Sequence, residues 1–203
     1  MWPGDAPHEA VPEMSIVRLA DITDIDFPLP LYSALVDHGR RKLGGQWEAG
    51  EEQAPKAYGL VGGRIAGMFV TVTHVVPLKN NLRDRPGVKA DVDQLMEEVA
   101  FPSETPLDRR GWVADPREVL AADQRCENDG SGLVGSYHMH RLPWPHDPRR
   151  DTCTAIDTAL AEGCGLWAFI LSMVDPDQPV LRAFFEGDNA REATVRVEPG
   201  SPQ

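Results

Sequence analysis

The sequence predicts one mixed domain of the α/β (α+β) class, with a central mixed sheet flanked by helices. Three observations carry this. Helix-like and strand-like stretches are interleaved along the chain, not segregated. Residues 65–76 alternate like a long strand, with Met68, Val70 and Val72 on one face and Phe69, Thr71 and Thr73 on the other. Leu166 to Met173 is a short, continuous apolar run, as a fully buried strand requires. With 203 residues, 41% of them apolar, the chain is long enough to bury one sizeable core.

Taken in order, residues 1–13 are rich in Pro and set apart as a loose N-terminal segment. Ser15 to Leu19 reads as a short strand. Leu31 to Leu43 reads as a helix, stopped by Gly44-Gly45. Residues 50–53 form an acidic linker. Ala57 to Val61 is a strand, and Gly62-Gly63 reads as the turn into the 65–76 strand, which Pro77 ends. A polar, basic loop spans 80–87. Val92 to Ala100 reads as a helix, and 101–107 as a loop. Gly111 to Ala114 reads as a strand. Asp115-Pro116 pairs an N-cap with Pro at N1 and opens a helix through Cys126. After a break at 128–132, the strand ending Tyr137-His138-Met139-His140 follows. A Pro-rich turn leads to Asp151, which opens a helix over 151–162. The 166–173 strand pairs with Val180 to Phe185 as a hairpin. The domain is placed at 14–186. Residues 187–203 are a polar tail, apart from Thr194 to Val197, an edge strand.

Charge and composition exclude several classes. The net charge of -12 disfavours nucleic acid and anionic membranes as partners. No run approaches the ~18 apolar residues of a membrane span. The first residues lack the basic start and apolar core of a secretion signal. Three Cys without regular spacing fit a reducing compartment, so the cytoplasm is the expected location.

The chemistry centres on His138 and His140. Two His at i and i+2 on a strand share a face, because side chains alternate with period two. A carboxylate in the first turn of the next helix, Asp151, can swing back toward them. Two imidazoles and one carboxylate around one ion leave a position for water, as catalytic zinc requires. Ser136 shares the His face. In the intervening loop, His146 reads as a surface group or a substrate contact, and Trp144 as a wall of the groove or a cover over the core edge. His38, His74, Trp112 and Trp167 read as structural, and Cys126, Cys153 and Cys164 as small buried residues.

The pattern resembles the JAMM metallopeptidases, also called MPN-plus or JAB domains. Their motif is His-x-His-Pro, a short loop, then Ser-x-x-Asp, with a Glu far upstream. The segments beginning at Pro55, Trp112, Leu133, Phe169 and Leu181 resemble the family's core strands in order, over roughly residues 30–186. The resemblance implies a cytidine-deaminase-like fold. It also implies a Zn2+ hydrolase that cuts peptide or isopeptide bonds after the C-terminal tail of ubiquitin or a ubiquitin-like protein, with a Glu as general base. Activating or conjugating enzymes are further implied partners.

The chain departs from the family at three places. Lys56 stands where the family has its Glu, Arg141 where it has Pro, and Pro148 where it has Ser. Glu104, held between Pro102 and Pro106, is the candidate relocated base; the loop also reads as a plain connector. Glu97, Glu98, Glu51 and Glu52 are weaker alternatives. Two further readings stay open. One is a non-catalytic metal-binding scaffold for a ubiquitin-like protein or its conjugation enzymes. The other is a zinc hydrolase of a small amide or other non-protein substrate.

Overall fold

Seven strands close into a barrel in the order β1-β3-β2-β4-β5-β6-β7, with β1 pairing back onto β7. The computed structural model describes residues 18–199. The strands are β1 (Asp24–Pro28), β2 (Tyr58–Ala66), β3 (Phe69–Pro77), β4 (Gly132–His140), β5 (Trp167–Ser172), β6 (Val180–Phe185) and β7 (Glu192–Glu198). The helices are α1 (Leu29–Leu43), α2 (Lys89–Val99), α3 (Pro116–Asn128) and α4 (Ala155–Ala161). Among the described residues no helix is long and apolar enough to cross a membrane.

This architecture corrects the expected fold. The sheet is a closed barrel, not the open central sheet of a cytidine-deaminase-like JAB/MPN domain. The reason lies at the two ends of the described chain. Residues 24–28 form β1, which alternates inward Ile25 and Phe27 with outward neighbours. The expected edge strand is β7, and it is no edge. It pairs antiparallel with β6 and parallel with β1, so the segment set apart as a tail closes the barrel. The strand expected at 15–19 lies mostly outside the described residues; Leu19 belongs to a 3-10 turn.

One core fills the barrel. Ile25, Phe27, Val61, Val70, Tyr137, Phe169 and Leu171 belong to it, joined by Leu35 and Val36 from α1. A polar network ties α1 to the segment that follows it. His38 Nδ1 is 2.7 Å from the Tyr137 hydroxyl. Arg41 donates to both oxygens of Glu51 at 2.7 Å. Lys42 donates to the Glu52 carbonyl at 2.8 Å. Two smaller clusters lie outside this core. Tyr58, Leu60 and Leu78 pack with Ala122 of α3. Ile170 and Phe184 pack with Cys153.

Three local expectations are corrected as well. Gly62-Gly63 is not the hairpin turn. β2 runs through it with a bulge to Ala66, and Gly67, at φ +60°, makes the turn. The two glycines serve close packing instead. A Cβ on Gly62 would lie 2.4 Å from Cys126 Sγ, and one on Gly63 2.8 Å from Val70 Cγ1. The strand expected at 111–114 is only an isolated bridge between Asn81 and Ala114. Asp151 opens no helix. Thr154 caps α4, its side chain accepting from the Asp157 N–H.

Candidate metal centre

β4 sets the first two ligands. Tyr137 points into the barrel and is fully buried, so its neighbours His138 and His140 project from the outer face. Their Nε2 atoms are 3.1 Å apart. The third group is Asp157, in the first turn of α4. Its Oδ1 is 3.1 Å from His138 Nε2 and its Oδ2 is 3.3 Å from His140 Nε2. These three residues form a group that can hold a metal ion. The fit is chemical as well as spatial. Two nitrogens on one tetrahedral zinc, each at about 2.05 Å, stand roughly 3.3 Å apart. That is close to the spacing found here.

Neighbouring groups orient the ligands. His140 Nδ1 is 3.0 Å from the Arg150 carbonyl, which only accepts, so Nδ1 carries the proton. That fixes the tautomer and turns the Nε2 lone pair toward Asp157 and His138. Thr154 holds Asp157. Its N–H and its hydroxyl both donate to Oδ2, each at 2.7 Å. Burial pushes the His140 pKa down, against the pull of Asp157. Burial pushes Asp157 up, but the charge of the adjacent His138 and its hydrogen bond outweigh it. Its carboxyl is held well below the usual range.

Asp151, the expected third ligand, lies outside this group. Its side chain pairs with Arg149 at 3.0 Å and with Arg182 of β6 at 3.3 Å. The helix starts at Ala155, not at Asp151. Asp157 takes the role, and the Thr154-x-x-Asp157 capping signature could have found it. Glu104 is exposed, and the cavity beside the His pair is lined by its neighbours Ser103 and Thr105 but not by it.

That cavity holds about 180 Å³. His138, His140 and Asp157 line it, as do Lys56 and Trp144. Tyr58 lies directly across the β2/β4 ladder from His138, and Lys56, just ahead of β2, lines the cavity beside them. Lys56 Nζ donates to Glu52 Oε1 at 3.2 Å and to the Gly111 carbonyl at 3.3 Å. Trp112 stacks on Tyr58, with ring centroids 5.1 Å apart. Phe101, Trp144 and His146 form an aromatic cluster at the cavity rim. His38 and His74 are structural, His74 pairing with Asp129 at 3.0 Å.

The fold and the site define a closed-barrel protein carrying a His-His-Asp group on its outer wall. No family model matches the chain. No curated protein matches it. Solved structures do. The solution structure of protein DSY2949 from Desulfitobacterium hafniense superposes with a TM-score of 0.56 at 24% identity, covering 86% of this chain and 93% of that one. A solution structure of a protein from Salinibacter ruber (strain DSM 13855) gives a TM-score of 0.43 at 20% identity, covering 86% of this chain and 92% of that one. The first likeness concerns the fold alone.

Proposed function

We propose that this protein is a zinc-dependent hydrolase of an amide bond, with His138, His140 and Asp157 as its metal ligands. The observation that carries the reading is the convergence of two imidazole nitrogens and one carboxylate on the wall of an open cavity. No fourth His, Cys, Asp or Glu joins the group among the described residues. Three protein ligands suit a catalytic zinc better than a closed structural one. When bound, zinc supplies Lewis acidity toward water and toward a carbonyl oxygen.

The chain's own residues orient and assist. The Arg150 carbonyl and Thr154 hold His140 and Asp157 in the ligating geometry. Lys56 presents an N–H donor beside the His pair, where it can hydrogen-bond an oxygen that gains charge during the reaction. Glu52 holds that ammonium in place. The barrel is not the JAMM fold, so only the residue types of that motif are compared here. The motif's Ser-x-x-Asp, sought at Pro148 and Asp151, is matched in kind by Thr154 and Asp157. The tail of a ubiquitin-like protein is accordingly the first substrate to try.

One observation favours a second reading, a non-catalytic metal-binding scaffold for a ubiquitin-like protein or its conjugation enzymes. Asp157 is the sole carboxylate among the described residues that line the cavity, so no separate base faces the ligands. Zinc-loaded protein incubated with a fluorogenic fusion to a ubiquitin-like tail separates the two. Cleavage by wild type, lost in Asp157→Asn and kept in Glu104→Gln, supports the hydrolase. Stoichiometric zinc with no turnover on tails or small amides supports the scaffold.

A further inference from the structure

The cavity wall carries charge that the metal centre does not explain. The protein as a whole is acidic, at -12. Yet the cavity is lined by Lys56, Arg109, Arg110, Arg141 and Arg150 against the single carboxylate of Asp157. Two of these cations are already occupied. Lys56 is held by Glu52. Arg110 donates to the carbonyls of Thr105, Phe101 and Ser103 at 2.6–2.9 Å, which shapes the 101–105 loop.

Arg150 is different in three respects. Its side chain is 9% exposed, and its Nε and Nη1 have no hydrogen-bond partner among the described residues. Asp147 lies 3.6 Å from Nη1, within ion-pair range but too far for a hydrogen bond. Its guanidinium lies over Trp144, with Cζ 3.6 Å from the ring centroid. Its backbone is left-handed at φ +51°, a conformation that costs a non-glycine residue free energy. A strained backbone therefore holds a buried, under-bonded cation against an aromatic ring. Nε and Nη1 are sealed from solvent, so they cost free energy as they stand, and an anion in the cavity meets the guanidinium through the remaining Nη2 unless the loop shifts to uncover them.

The geometry points to Arg150, stacked on Trp144, as the binding group for an anionic moiety of the ligand, a carboxylate or phosphate carried on an apolar body. A planar guanidinium matches the two oxygens of such a group. Met96, Phe101, Trp112 and Leu160 supply apolar wall for the rest of the ligand. Calling that ligand the substrate rests on the hydrolase reading; the anion site itself does not.

Isothermal titration with benzoate, phenyl phosphate and neutral benzamide tests this on the full chain. Wild type binds at least one anion about tenfold or more tightly than benzamide, the worth of a charged hydrogen bond. Arg150→Gln removes that preference, and Arg150→Lys restores part of it. Preference for benzoate assigns a carboxylate, and preference for phenyl phosphate assigns a phosphate ester. His138→Ala keeps the anion preference while losing zinc, so the hydrolase reading can fail without taking the anion site with it. Equal binding of anion and benzamide by wild type, which needs no variant to fold, overturns the proposal. So does an unchanged anion affinity in Arg150→Gln, or anion binding that vanishes in His138→Ala, which would place the anion on the metal.

Discussion

His138 Nε2 and His140 Nε2 lie 3.1 Å apart, both facing the Asp157 carboxylate. Because the Arg150 carbonyl takes the His140 Nδ1 proton, its Nε2 is a bare lone pair. One proton on His138 cannot bridge all the acceptors around it, whereas one divalent ion can. Wild type should bind one zinc per chain. His138→Ala, His140→Ala and Asp157→Asn should each weaken binding by more than about 100-fold, beyond the range seen for groups that only orient ligands. Asp151→Asn should leave it unchanged. Competition with a chromophoric chelator measures all four. Zinc affinity lost in Asp151→Asn and kept in Asp157→Asn would reverse the assignment.

Thr154 acts on two levels. It caps α4 and it fixes the Asp157 carboxylate. Thr154→Val should cost about 1 kcal/mol of stability through the lost cap. It should also weaken zinc binding about tenfold or more, because an orienting partner is gone. Thr154→Ser should retain both. A variant that loses stability and keeps full zinc affinity would show that the hydroxyl only caps.

His38 makes the fold acid-sensitive. Burial, reinforced by the charge of Arg41, pushes its pKa down to about 4. In the unfolded chain a His takes up its proton near 6.5. The unfolded state therefore binds more protons between these values, and stability falls as pH falls. The contribution is intact above about pH 6.5 and is lost by about pH 4, on the order of 3 kcal/mol in all. Glu51, held down to about 2 mainly by its hydrogen bonds from Arg41, adds a loss in the same direction only below about pH 4.5. Urea unfolding at pH 7 and pH 5 should show a clear drop for wild type and a flatter profile for His38→Gln. Equal slopes would remove His38 as the cause.

Gly62 is a packing residue. Gly62→Ala should destabilise by about 1–3 kcal/mol through overpacking against Cys126. Cys126→Ala in the same chain should recover much of that, a non-additivity that thermal or denaturant unfolding of the four-variant cycle reads directly. Additive effects would mean the clash is relieved elsewhere.

What could be read from the chain followed how local the signal was. His138 and His140 were legible because period two is a property of one strand. The α3 cap at Asp115-Pro116 was legible for the same reason. Asp157 was within reach, since Thr154-x-x-Asp157 is a local signature, but placing the helix start at Asp151 hid it. Gly62-Gly63 looked like a turn because the sulfur that demands glycine there comes from α3, far along the chain. Barrel closure was illegible because β1 and β7 meet only in three dimensions. The unmet donors of Arg150 likewise exist only once Trp144 and Asp147 are in place around them.

The seam between β1 and β7 sets the order in which this chain can be completed. Asp24 waits for Thr194, and Pro28 for Glu198. A nascent chain emerging from the ribosome therefore holds an unsealed sheet until β7 is made, with β1 and β6 each offering a bare edge to neighbours. Truncation ahead of Glu192 would make that exposure permanent, and insoluble product is its expected signature.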